Sequence, residues 1–182
     1  NVVENEIVSN GLKIYSQRKI QISILNNHIN LMNNSNKYPF KIDFKIDDSI
    51  VNNELDEIKF KSCLQESREY DKKFGGTKVG PHKSDIIARI NGKVEASKLS
   101  TGQQKTVVLM ILIAQCNYLI NDKKIRPILL FDEICSHLDQ YNRKILLDLI
   151  NNFDIQFFLT GTDKSLFSFI STNANFYNIK NI

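Results

Sequence analysis

The chain has 182 residues, 42% of them hydrophobic and 24% charged, which suits one ordinary domain or one and a half small ones and excludes a wholly disordered chain. Its longest apolar run, Val107 to Ala114, is too short for a bilayer span, and no basic, apolar and small-residue series at the start reads as a secretion signal. A formal net charge of +4 is compatible with a nucleic-acid partner but does not by itself establish one.

Residues 9–35 read as mostly helical, because Leu12, Tyr15, Ile22, Leu25, Ile29 and Met32 recur at helical steps. Tyr38-Pro39 closes that segment, since proline disfavours helix at the residue before it. Phe40, Ile42, Phe44 and Ile46 alternate with charged residues and predict a half-buried strand. An amphipathic helix is expected from about Asn53 to Lys73, with Leu55, Ile58 and Leu64 on its apolar side. Near Gly75-Gly76 the texture changes, giving an expected division into a helical arm or lobe with a short β segment (1–76) and a second part (77–182).

In the second part Ile86 to Ile90 reads as a strand and Asn91-Gly92 as a type I′ turn leading into Val94. A helix is expected from about Gln103 to Leu119. Ile128 to Phe131 is a continuous apolar strand of the kind found inside a sheet covered on both faces. A helix over Gln140 to Asn152, a strand over Ile155 to Leu159, a short helix and a last strand over Phe176 to Ile179 complete an α/β pattern with a largely parallel sheet. Three well-separated cysteines without a CxxC pair argue against a disulfide framework or a zinc site, and favour a reducing cytoplasm. The 21 asparagines are interleaved with Ile and Leu at helix and strand periods, a bias expected of an AT-rich genome rather than of a prion-like tract.

Two stretches carry chemistry. Strand Ile128–Phe131 runs into Asp132-Glu133, at the sheet edge where α/β proteins bind ligands. An Asp there can hold Mg²⁺ and an adjacent Glu can deprotonate a water, although a strand ending in two acids also arises where a strand simply meets water. Leu99-Ser100-Thr101-Gly102-Gln103 puts a hydroxyl, a glycine and a helix N-terminus together, able to face an anion or simply to cap a core helix. Asp139 is a natural N-cap for the helix starting at Gln140.

In order, these pieces resemble the C-terminal half of an ABC-type ATPase head. Leu99 to Gln103 resembles the signature motif, Ile128 to Glu133 the Walker B strand and Ser136-His137-Leu138-Asp139 the D-loop. Thr160-Gly161-Thr162 falls where the switch loop would be, without its usual histidine. Val79-Gly80-Pro81-His82-Lys83-Ser84-Asp85, then Asn91-Gly92, then Gly102-Gln103-Gln104-Lys105, narrows the likeness to the RecF family of DNA repair ATPases. Lys83 and Ser84 depart from that family's usual Arg and Asp, and Asp132-Glu133 is closer to the wider ABC pattern than to paired aspartates. The strong resemblance covers about residues 64–170; residues 1–60 fit the family's helical arm by position and texture.

The resemblance implies a fold, the C-terminal lobe of an ABC-type P-loop ATPase head preceded by a helical arm. It also implies ATP and Mg²⁺ as cofactors, with Asp132 for the metal and Glu133 as catalytic base. Ser100, Gly102, Gln103 and Lys105 would contact the γ-phosphate across a dimer interface, and Asp139 would lie at that interface. Implied partners are single- and double-stranded DNA, a second copy in an ATP-dependent homodimer, and RecR- and RecO-type repair proteins in the cytoplasm, with no membrane. A P-loop, Gly-x-x-x-x-Gly-Lys-Ser/Thr, is missing: Gly75 to Gly80 approaches it, but Pro81 and His82 stand where Lys and Ser/Thr belong. The chain, which begins with Asn, is therefore expected to be the C-terminal half of a longer protein and inactive alone. A stand-alone binding or dimerisation module, and another ABC-class ATPase such as an SMC-like one, are the rival readings.

Overall fold

The computed structural model describes residues 2–34, 40–48, 50, 56–133, 135, 138–170 and 174–179, which form two compact units, Asn1–Leu99 and Ser100–Ile182. The first compact unit runs on to Leu99 and includes the strand expected after Gly75-Gly76, which is hydrogen-bonded to the strand before it. The Tyr38-Pro39 helix stop and the expected helix start at Asn53 lie outside the described residues.

In the first unit, α1 (Val2–Asn33) starts earlier than its apolar period and buries Val8, Gly11, Tyr15, His28, Ile29 and Met32. β1 (Ile42–Asp47) buries Ile42, Phe44 and Ile46 and exposes the alternate positions more, as its period-two pattern requires. One edge of β1 pairs antiparallel with β2 (Asp85–Ile90), Ile42 opposite Ile90, and β2 turns into the two-residue β3 (Val94–Glu95). The turn has φ of 51° at Asn91 and 70° at Gly92, and the Lys93 amide donates to the Ile90 carbonyl at 3.0 Å. Positive φ at both central residues is what a type I′ turn needs, and the pairing of Ile90 with Val94 makes the whole loop three residues long.

The other edge of β1 is held by asparagines. Asn26 donates to the Phe44 carbonyl and accepts from the Phe44 amide, both at 2.8 Å. Two helical turns on, Asn33 does the same to Ile42, at 3.1 Å and 3.3 Å. A carboxamide carries both a donor and an acceptor, so each one stands in for a residue of a neighbouring strand and covers the edge. At least these two of the many asparagines have a defined structural task.

α2 (Glu57–Phe74) is capped by Asp56, whose carboxylate accepts from the Ile58 amide at 2.8 Å. Its buried face is Phe60, Leu64 and Ser67, while Ile58, expected on the apolar side, is 80% exposed. Phe60 packs edge-on to Tyr15 and, with Val8, Ile46, Ile50 and Leu64, makes the unit's core. Burial and a 3.0 Å hydrogen bond to Asp48 push the Tyr15 phenol above its ordinary pKa. The Val79–Asp85 run forms a corner rather than a phosphate loop. Pro81–Lys83 is a single 3₁₀ turn, Arg18 donates to the Pro81 carbonyl and the Ser84 hydroxyl, and His82 Nε2 donates to the Thr77 carbonyl at 2.8 Å.

In the second unit, α3 (Thr101–Asn117) ends in a π-helical turn, Tyr118–Asp122. β4 (Ile128–Phe131) and β5 (Gln156–Leu159) pair in parallel, joined through α4 (Gln140–Asn152), which packs on α3. This is the parallel connection expected of an α/β unit, but only one sheet face is covered. Phe131 is buried, whereas Ile128, Leu130 and Phe158 are 59%, 75% and 50% exposed. Phe176 to Ile179, read as a strand, carries no strand pairing among the described residues. Among the described residues no helix is long and apolar enough to cross a membrane.

Candidate functional site

The carboxylate pair sits at the carboxyl end of β4. The pairing of Phe131 with Leu159 brings Thr160 level with Asp132, and Thr160 bonds to Phe131, the last residue of β4, and to the two residues after it. Its amide donates to the Phe131 carbonyl at 2.9 Å, its hydroxyl donates to Asp132 Oδ1 at 2.6 Å, and the same hydroxyl accepts the Glu133 amide at 2.9 Å. Glu133 has φ of 51°, a left-handed backbone uncommon for a residue with a β-carbon. Both carboxylates are exposed to solvent.

The signature-like residues form a second group. Ser100 caps α3 in a capping box: its hydroxyl oxygen accepts the Gln103 amide at 3.4 Å, and Gln103 Oε1 accepts the Ser100 amide at 3.1 Å. Asp139 caps α4 by accepting the Asn142 amide at 2.8 Å. Asn142, buried to 1% exposure, links the two helix starts: its Nδ2 donates to the Gly102 carbonyl at 3.2 Å and its Oδ1 accepts from Thr106 Oγ1 at 2.7 Å. A β-carbon on Gly102 would lie 3.4 Å from Asp139 Oδ2, so the two motifs touch. Lys105 is half-buried on the second turn of α3.

Ser100, Gly102, Gln103 and Asp139 are thus brought together, as are Asp132 and Glu133. Ser136 and His137 of the D-loop-like run lie outside the described residues. Sequence reasoning missed Asn142 and Thr106, and placed Thr160 only by position. Beside the site, burial pushes the Cys135 thiol up, against the opposing pull of Arg143, which marks it as an inert core group.

The described residues hold no cluster of three or more His, Cys, Asp or Glu able to cage a metal. Mg²⁺ does not need one, since it is commonly held by one or two carboxylates plus the phosphates of a nucleotide, and Asp132 fits that role. For ATP the fit is partial. Ser100 and the start of α3 suit the far side of a phosphate chain, but the cradle for the near side is not among these residues.

Comparison with known proteins gives the family. The chain belongs to the family described as the RecF/RecN/SMC N terminal domain, which matches residues 6–181. Within it, the chain is 32% identical over 182 residues to the DNA replication and repair protein RecF of Rhizobium etli, covering 97% of this chain and 49% of that one. It is 33% identical over 177 residues to RecF of Rickettsia conorii, covering 89% and 49%. The chain therefore spans about half the length of the curated relatives it matches. Two solved structures of the recombination mediator protein RecF of the RecFOR pathway, RecF-ATPrS and RecF-ATP, share its fold with TM-scores of 0.72 and 0.71 at 24% and 23% identity. They cover 90% of this chain, which matches 45% and 44% of theirs. The fold is that of part of a RecF ATPase head, as the sequence motifs implied.

Proposed function

We propose that the chain is the C-terminal part of a RecF-like DNA-binding ATPase that acts in recombinational DNA repair and replication restart, with ATP sandwiched between two heads. The observation that carries this reading is the Asp132-Glu133 pair at the carboxyl end of a parallel strand, in a chain whose relatives are RecF proteins. The division proposed from sequence, a helical arm or lobe over 1–76 and an ATPase lobe over 77–182, goes with it.

Asp132 would hold Mg²⁺ together with the nucleotide, and the metal would supply charge neutralisation at the phosphates. Glu133 takes a proton from the attacking water. Ser100, Gly102, Gln103 and Lys105, at the start of α3, would face the γ-phosphate of a nucleotide held by a partner subunit, and Asp139 would stand at the same interface. The P-loop comes from the remainder of the protein, which covers the exposed apolar face formed by Ile128, Leu130 and Phe158. DNA, single- or double-stranded, RecR- and RecO-type proteins and an ATP-dependent homodimer are the partners, in the cytoplasm. The rival reading is a non-enzymatic binding or dimerisation module.

Glu133→Gln in the full-length protein separates the two. Gln keeps the shape and cannot accept the proton, so hydrolysis should fall about 100-fold or more while ATP binding survives. Hydrolysis at the unaltered rate would remove Glu133 as the base. A full-length protein that neither binds nor hydrolyses ATP would favour the module.

A further inference from the structure

We propose that Thr160 is a positioning residue for the carboxylate pair, acting on its own chain's Asp132 and Glu133. This rests on the ATPase reading above. A hydroxyl has one proton to give and lone pairs to receive, so it can donate to Asp132 Oδ1 and accept from the Glu133 amide at once, and the structure shows both bonds, at 2.6 Å and 2.9 Å. With the Thr160 amide on the Phe131 carbonyl, the residue just after β5 fixes the last residue of β4 and the two that follow it.

Each bond constrains something the chemistry needs. The first fixes the rotation of the Asp132 carboxylate and leaves its other oxygen outside this bond. The second holds the peptide of Glu133, whose φ of 51° needs support from its surroundings and sets the direction in which its side chain departs. The clamp is itself anchored. A β-carbon at Gly161 would lie 2.8 Å from Phe167 Cζ, so the backbone just after Thr160 lies close against a buried ring. Valine matches threonine in shape and can make neither hydroxyl bond, whereas serine can make both.

The test compares Thr160→Val and Thr160→Ser in the full-length protein, with Glu133→Gln as a control. Without nucleotide, the Glu133 amide should exchange its hydrogen about 10-fold faster or more in Thr160→Val than in the unaltered protein, and at a near-normal rate in Thr160→Ser. With ATP, Thr160→Val should need about 10-fold more Mg²⁺ for half-maximal hydrolysis, and Thr160→Ser should restore the original dependence. If Thr160→Val does not fold, Thr160→Ala replaces it with the same expectations. Unchanged amide exchange and Mg²⁺ dependence, with Glu133→Gln inactive, would overturn the positioning role and leave the ATPase reading intact. A fully active Glu133→Gln would instead remove Glu133 as the base and this positioning role with it, and faster amide exchange in Thr160→Val would then report a structural clamp alone. An unaltered protein that neither binds nor hydrolyses ATP would overturn the ATPase reading itself.

Discussion

At the scale of single residues, the link between the two helix starts rests on Asn142. A buried amide is tolerated only when its polar atoms are paired, and here the backbone N–H, Nδ2 and Oδ1 all have partners, namely Asp139, Gly102 and Thr106. The Thr106 proton serves one acceptor at a time, and the 2.7 Å contact to Asn142 is shorter than the 3.2 Å contact to Gly102. Asn142→Leu should therefore cost about 2 kcal/mol, because it removes two bonds and leaves the Gly102 carbonyl without its amide donor. Urea unfolding with an unchanged m-value checks this, and a loss under about 0.5 kcal/mol would contradict it. Combined with Thr106→Val, the two losses should not add, since both act on one bond. None of this could be read from the sequence: an asparagine three residues into a helix looks like surface, and only the packing of α4 on α3 buries it.

At the scale of elements, α1 and α2 meet where Gly11 faces Phe60. A β-carbon at Gly11 would lie 2.6 Å from Phe60 Cε1, and Phe60 is fully buried against Tyr15. Alanine improves helix propensity by about 1 kcal/mol, while overpacking a filled core costs about 1–3 kcal/mol. The second effect should win. Gly11→Ala is expected to lose about 1 kcal/mol in thermal or urea unfolding, and Phe60→Leu should recover part of that loss when combined with it. A stabilised Gly11→Ala variant would contradict the close packing. The same contact explains what the sequence concealed. Ile58 and Phe60 are two residues apart, so they point about 160° away from each other on the helix. Either could define an apolar side by composition, and the fit of Phe60 against Gly11 decides the matter. The β1 alternation and the Asn91-Gly92 turn were legible because period two and paired positive φ are local properties of the chain. Thr160 was not, because its role depends on the register that sets Leu159 opposite Phe131.

At the scale of the molecule, the chain carries a parallel sheet with one naked apolar face, a capped signature-like helix and a carboxylate pair, but no phosphate cradle. The motifs were readable because each is short and contiguous. The exposure of Ile128, Leu130 and Phe158 was not, since an apolar strand reads as covered on both faces whether or not its cover lies in the same 182 residues. Such a patch calls for a partner surface, and a lobe bearing the P-loop would supply both the cover and the missing cradle. In that arrangement Ser100 serves a nucleotide held by the other subunit. Two full-length variants test this most directly: Ser100→Arg, which fills the space of the γ-phosphate with a bulky cation, and a variant lacking the P-loop lysine. Each should be inactive alone. Mixed, they give heterodimers in which one site carries both lesions and the other neither, so ATP hydrolysis should return, up to about half per heterodimer for independent sites. No recovery, with heterodimers confirmed by pull-down, would contradict the shared site and leave Ser100 as the cap of α3 alone.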